Sequence, residues 1–352
     1  MSNAPSVSAS DSVTRYILIA ITLLALAVLI WKVAPIFVLA FGGVVFATVL
    51  QAIAEPLSRR TGLSQRLSLG VVILGLLAVS GLTFWLFGRQ AVSQFAEMRE
   101  QLPAAFEKFK GWIAESRLGQ GLVDSVRQAA EDGNPLSSAG LALGATLGGV
   151  GHLLLIIFVG IYLAAAPTLY REGALRLLPP ARRPQVRDAL NDAGMDLRKW
   201  LMAQLIIMTT VGVMAGVGLA VIGVPLPLSL GLVAGLLEFV PVVGPIVAAV
   251  PGVLLAFAAG PQTALYALVL YLVVQQVEGN ILTPLVQRWA VELPPVVALL
   301  SIVAAGLVFG VMGVIFATPM AVVAMAMVRH LYVEDTLEKN RATPERVRMR
   351  VR

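Results

Sequence analysis

The sequence predicts an all-α, polytopic membrane protein of about eight transmembrane segments, with two broken or re-entrant helical hairpins in its C-terminal half. Three observations carry that expectation. Hydrophobic residues make up 58% of the chain and charged residues only 13%, whereas a soluble domain is near half apolar and about a quarter charged. Apolar runs long enough for a bilayer alternate with short charged segments. Two longer apolar runs, 225–259 and 295–328, are interrupted by proline and glycine. Each is too long for one straight span of about 20 residues. The absence of cysteine and the presence of only two histidines exclude disulfides, a thiol nucleophile and zinc or iron–sulfur chemistry.

The elements follow in order. Residues 1–14 are small and polar and form a disordered N-terminus. Residues 15–88 hold three spans. Tyr16–Trp31 is flanked by Arg15 and Lys32, Val33–Ile53 carries Pro35 in its first turn, and Leu67–Phe87 follows the basic loop with Arg59, Arg60 and Arg66. A cleaved signal peptide is disfavoured for the first run, because no small-x-small site follows it.

Residues 89–138 are amphipathic. Phe95, Met98, Leu102, Phe106, Phe109 and Ile113 recur at three- and four-residue steps and share one helical face. The stripe suits a small helical cap, a subunit contact or a lid, and Gly133-Asn134-Pro135 closes the segment as a turn. Residues 139–166 form a fourth span, with His152 near its start. Residues 167–199 are basic, and Val186, Leu190 and Leu197 predict a surface helix leading into a fifth span, Trp200–Ile222. A basic tail occupies 329–352. The positive-inside rule places the 55–66 loop, the 167–199 segment and both termini in the cytoplasm, and the net-acidic 89–138 segment outside.

Residues 200–328 form a core with a weak internal repeat. Val224-Pro225-Leu226-Pro227 is echoed by Val291-Glu292-Leu293-Pro294, Gly244-x-Ile246-x-Ala248 by Gly313-x-Ile315-x-Ala317, and Pro251 by Pro319. If the runs 225–259 and 295–328 are hairpins, the units are inverted repeats whose tips meet near the middle of the membrane. If each crosses once as a broken helix, loop 284–294 lies on the opposite side. Both readings are compatible with the sequence.

Ionisable groups inside apolar runs mark function, since a carboxylate at the bilayer centre costs about 2.5–3.5 kcal/mol on insertion scales. Only Glu238 and Glu278 stand in such runs. Glu238 is followed by Pro241, Gly244 and Pro245, which break the helix around it. Gln275 with Glu278 and Gln276 with Asn280 stack along helical faces, and Gly279 and Pro284 end or kink that span. Gly310, Gly313 and Pro319 break the last run. Arg288 stands as a counter-charge for Glu278 or Glu292, and Gln204 with Thr209 or Thr210 either extends a polar path or bonds between helices. The bland role for Glu238 and Glu278 is bonding to freed backbone donors. The functional role is a carboxylate pair that takes up and releases a proton or monovalent cation.

Glu-x-Val-Pro-x-Val-Gly-Pro at 238–245, Val-Glu-Gly-Asn-x-Leu-x-Pro at 277–284 and Phe-Gly-Val-Met-Gly-Val-x-x-Ala-x-Pro at 309–319 resemble the signature of the autoinducer-2 exporter-like permease family. Gln204 after an amphipathic helix fits the same pattern. The resemblance implies a bacterial inner-membrane protein and secondary export of a small polar molecule, autoinducer-2 in some members, with sodium/proton antiport in others. One departure is Leu293-Pro294-Pro295, where the family often carries a histidine before the proline. Chemistry resting on that histidine does not carry over.

The expected function is therefore export of a small polar molecule, with proton coupling. The alternatives are a sodium/proton antiporter and a non-transporting scaffold, and intramembrane carboxylates argue against the scaffold. No Gly-x-x-x-x-Gly-Lys-Ser/Thr loop and no His-Glu-x-x-His motif is present, so no enzyme activity, cofactor or metal is expected beyond coupling to protons or Na+. The basic excess lies beside apolar spans, which points to lipid and not to nucleic acid. The stripe and the many small residues suggest a homo-oligomer.

Overall fold

A computed structural model describes residues 9–115, 135–291 and 293–332. The described residues are helical, with no strand among them. Five helices are long and apolar enough to cross a membrane, and a bent pair makes up to six. Residues 116–134, Glu292 and the tail beyond 332 lie outside the described residues, as do the first eight residues.

Helix α1 runs without interruption over Ala9–Thr61. The expected spans Tyr16–Trp31 and Val33–Ile53 are therefore one element. Nothing at Lys32-Val33 forces a turn, and Pro35 removes one backbone donor without ending the helix. The pairing of a cytoplasmic N-terminus with a cytoplasmic 55–66 loop rested on two crossings, and this helix does not supply them. Ala34, Val38, Leu39, Val45 and Leu50 are buried, while Leu18, Ile19, Ile21, Leu23, Leu24, Leu26, Val28 and Leu29 are exposed.

Helix α2, Gln65–Glu115, likewise continues past Phe87. The amphipathic segment is thus an extension of the third span and not a separate cap, since Gly88 alone does not stop a helix. Helix α3, Pro135–Ala165, matches the fourth expected span. The chain then bends by 89° into α4, Pro167–Arg176. After a 3-10 turn at Pro180–Arg182, helix α5 covers Arg183–Ile222. The expected surface helix and fifth span are again continuous.

Helix α5 is the central element. It buries Ala189, Ala193, Leu197, Trp200, Ala203, Gln204, Ile207, Val211, Ala215 and Leu219 along one stripe at three- and four-residue steps. Against it pack α6 (Pro227–Leu237), α8 (Pro261–Val277) and α10 (Pro295–Val328). The α5–α6 contact is backbone-close: a Cβ on Gly231 would lie 2.7 Å from the Gly212 carbonyl oxygen, and one on Gly235 would lie 2.8 Å from that of Met208. Glycines four apart on both helices permit this approach.

Both long apolar runs are hairpins. Helices α6 and α7 (Val243–Ala259) run back on each other, with Leu226 and Leu230 against Leu255 and Ala256 and with Ala234 beside Ala248. Element α10 doubles back at Gly310 (φ 63°, ψ −147°) into limbs 295–309 and 311–328. Leu293 packs on the Leu197 and Leu201 cluster, and Arg329 bonds Asp196 at 2.9 Å. Both ends of 295–328 therefore lie at the same end of α5, as a re-entrant hairpin requires and a single crossing does not.

The two ends of the molecule differ in chemistry. At one, Arg198 pairs with Glu55 and donates to the Ala52 carbonyl at 3.1 Å, Arg187 pairs with Glu172 at 2.7 Å, and His330 Nδ1 lies 3.0 Å from Asp192. This gathers the basic segments 55–66, 167–199 and the start of the tail. At the other end, the α2 stripe covers the first hairpin: Met98 joins its core cluster, and Phe109 and Trp112 meet the Phe257 ring at 5.3 and 5.5 Å.

Candidate functional site

The first hairpin builds the site. Pro227 starts α6, where a missing N–H costs nothing. Gln94 of α2 accepts from the Ser229 N–H at 3.1 Å and satisfies one of the free donors at that helix end. At the tip the helix stops after Leu237 and resumes at Val243. Val242 (φ 70°, ψ −51°) centres a γ-turn closed by the Val243 N–H donating to the Pro241 carbonyl at 2.8 Å. This sign of γ-turn is rare and strained, more so for a β-branched residue. Gly244 then packs so tightly on Leu237 that a Cβ would strike the Leu237 carbonyl.

This folding buries Glu238 at 3% exposure. Its side chain faces a cavity of about 150 Å³ that Glu278, Gln275, Tyr271, Pro245 and Ala249 also line. The two expected carboxylates thus line one cavity, although 40 positions separate them in sequence. Glu278 accepts from Gln275 Nε2 at 2.5 Å and from the Thr283 hydroxyl at 2.9 Å. Glu238 has no side-chain hydrogen bond or ion pair among the described residues, and Arg288 is exposed and does not line the cavity, so Glu278 is held by Gln275 and Thr283 instead. The Tyr271 hydroxyl is buried with no hydrogen-bond partner. Two carboxylates, an amide and an unpaired phenol in a small apolar space suit a cation, a proton or a hydrogen-bonding solute.

Glu278 stands where α8 passes into a π-helical turn, Glu278–Leu282, which joins α9, Thr283–Gln287. Gly279 and Pro284 therefore redirect the span without ending it. Pro284 lacks the N–H that the Asn280 carbonyl would accept, and the π register, with Thr283 N–H donating to the Glu278 carbonyl, accommodates it. Asn280 bonds Gln276 at 3.1 Å, and neither lines the cavity that Gln275 and Glu278 reach.

Gln204 takes a different place from the one expected of an ion ligand. Its side-chain nitrogen donates to the Glu238 backbone carbonyl at 2.6 Å, so it holds the tip. Thr209 and Thr210 bond back to Leu205 and Ile206 in their own helix and bridge nothing. The second hairpin meets the first there: Val240 is buried with Ile302, Ala305 and Ala317, and the Phe239 ring contacts Phe316. Gly310 forms the second tip, Gly313 lets its limbs touch, and Pro319 is fully buried in the returning limb. Sequence reasoning missed Tyr271, Thr283 and Gln94. Tyr271 stands in the apolar middle of α8 with Tyr266 five residues before it, and no local signal sets it apart.

The family model for AI-2E family transporters matches residues 18–333. The chain belongs to that family. It is 31% identical over 175 residues to "Putative transport protein YrrI" and 31% identical over 189 residues to "Putative transport protein YueF", both of Bacillus subtilis. These matches cover 50% and 53% of this chain, and 50% and 51% of the relatives. The chain thus spans about half the length of these two relatives. "Putative transport protein MT0215" of Mycobacterium tuberculosis is 28% identical over 289 residues, 78% of each chain. The family is described as one of transporters.

Proposed function

We propose that this AI-2E family member is a secondary transporter that exports a small polar molecule, of the autoinducer-2 or metabolite kind, across the bacterial inner membrane in exchange for protons. The observation that carries the reading is the shared cavity of Glu238 and Glu278 at the broken tip of a re-entrant hairpin. A buried carboxylate without a cationic partner is costly when charged, so it gains by binding a proton or cation and by releasing it when the site opens to water. Cycling of that kind couples a gradient to a conformational change.

Inverted hairpins whose tips meet support alternating access at this point. The basic end, with 55–66, 167–182 and 288–291, is the cytoplasmic one in this proposal. A homo-oligomer belongs to it as well, resting on the many small residues of the spans. The test is flux in proteoliposomes under an imposed pH gradient, with a labelled polar metabolite and with sodium in turn. Proton-driven metabolite flux supports export, and its absence from a functional preparation overturns it.

Monovalent cation/proton antiport is the second reading. It is favoured by the two carboxylates facing one cavity with no Lys, Arg or His lining it. In the same assay, sodium flux with no metabolite flux selects it.

A further inference from the structure

We infer that Phe239 is the gate of the transport path and that Gln204 is the residue that positions it, an inference that rests on the transport reading above. Consecutive residues at the hairpin tip face different cavities. Glu238 lines the carboxylate cavity, whereas Phe239 lines a second one of about 150 Å³ with Gln204, Phe46, Ile156, Met208 and Phe316. The second cavity is lined from α1, α3, α5 and the second hairpin and shares no lining residue with the first. A solute leaving the carboxylate cavity in the direction of the second meets the Phe239 ring first.

The ring is held, but by contacts that can be exchanged. It packs edge-on against Trp200 at 5.9 Å and Phe316 at 6.4 Å, and Phe316 in turn meets Phe41 at 6.4 Å. Those partners come from α5, the second hairpin and α1, so the gate sits where three elements meet the tip. Edge-to-face aromatic contacts are specific in angle yet individually weak. The backbone here is not locked in a helix, and the strained γ-turn at Val242 follows three residues later. Strain of this sort concentrates at switching segments.

Gln204 acts on the peptide unit that joins the two cavity-facing residues. Its side chain is 6% exposed, and its amide donates to the Glu238 carbonyl at 2.6 Å. That carbonyl belongs to the Glu238–Phe239 peptide, so rotating it to swing the ring breaks this bond. A buried hydrogen bond made only in one arrangement biases a two-state element toward it. Gln204 is therefore a positioning residue, and Phe239 is the body that blocks the path.

The chain has no cysteine, so a single cysteine at Ala249, on the wall of the carboxylate cavity, reports access. A membrane-impermeant thiol reagent is applied to either side of proteoliposomes. With Phe239 present, the reporter is labelled from one side only. Phe239→Ala should open it to both sides, and Phe239→Trp should restore one-sided labelling. Gln204→Leu, with Phe239 intact, should raise labelling from the closed side about tenfold, the size of one lost buried hydrogen bond acting on a closed–open equilibrium. If Phe239→Ala does not accumulate in the membrane, Phe239→Leu gives the same comparison with a milder change. One-sided labelling throughout would overturn the gate and leave Phe239 as plain packing. Labelling requires no flux, so a failure of proton-coupled export in the transport assay is separate from a failure here.

Discussion

Gly313 lies directly against the backbone carbonyl of Ala305, eight residues earlier in the same element. A continuing α-helix cannot make that contact, because eight residues advance about 12 Å along its axis. Gly244 stands in the same relation to the Leu237 carbonyl in the first hairpin. Two hairpins thus use one device: a glycine soon after the tip lets the returning limb touch the outgoing one.

Gly313→Ala and Gly244→Ala should each destabilise the protein by about 1–3 kcal/mol, the usual range for overpacking. The obstacle in both cases is backbone, which has no rotamer to yield. Gly81→Ala is the control: nothing lies within 4 Å of the point a Cβ would occupy there, and alanine is the better helix former. Thermal unfolding in detergent separates them, and equal melting of all three variants would show that the limbs do not touch.

The same geometry predicts which loops share a side. A cysteine at position 288 should be labelled from the same side of the membrane as one at position 182, and a cysteine at 101 from the opposite side. Labelling of 288 and 182 from opposite sides would contradict a hairpin at 295–328 and require a single crossing there.

Arg198 joins two elements at the basic end, pairing with Glu55 and donating to the Ala52 carbonyl. The side chains are 33% and 36% exposed, so solvent screens the pair and its worth is about 1 kcal/mol. Arg198→Ala should lower the melting temperature more in low salt than in high salt. Arg198→Lys should recover only part of the loss, since a single ammonium does not reproduce a guanidinium that serves carboxylate and carbonyl together. A loss independent of salt would point to packing of the arginine stem instead.

Much of this was legible in the sequence because it rests on residue type. Proline and glycine beside a lone carboxylate announce a break at Glu238, and the Gly244/Gly313 echo announces a second one like it. Orientation around a helix was legible only in part. Spacing says that Gln275 stacks on Glu278 and Gln276 on Asn280, but both faces of α8 are equally apolar, so spacing cannot say which pair turns inward. Helix continuity was not legible at Lys32 or Gly88. An isolated lysine or glycine is tolerated within a helix, and the decision falls to packing partners along its length. For Gln204 the sequence leaves a polar path and a bond to a neighbouring element both open; the structure gives the bond, and its acceptor, a backbone carbonyl at a distant tip, carries no sequence signal.

Tyr271→Phe removes one oxygen that bonds nothing among the described residues. Folding should be little affected, within about 0.5 kcal/mol. If the hydroxyl meets the transported species in the carboxylate cavity, half-saturation for the substrate should rise several-fold while maximal flux changes less, as for a lost binding hydrogen bond. Unaltered half-saturation would place the phenol outside the binding geometry.

Glu238→Gln tests the coupling itself. Glutamine keeps the shape and one acceptor of the glutamate, so a variant whose only loss is charge should fold and reach the membrane. It cannot take up and release a proton, so pH-gradient-driven flux, normalised to protein in the membrane, should fall to background. Glu278→Gln should do the same if both carboxylates act in one cycle. A partial loss fits its position, held by Gln275 and Thr283 at the less buried end of the cavity. Glu238→Leu separates this from a structural role. If Glu238 served mainly to satisfy backbone at the tip, glutamine would preserve flux, while leucine would lower expression and thermal stability. The tip carbonyl is already bonded by Gln204 and the turn closes on its own backbone, so leucine should be tolerated in folding and inactive in transport. Wild-type flux in the glutamine variant at every pH would remove Glu238 from the mechanism and leave Pro241, Gly244 and Pro245 as a purely structural break.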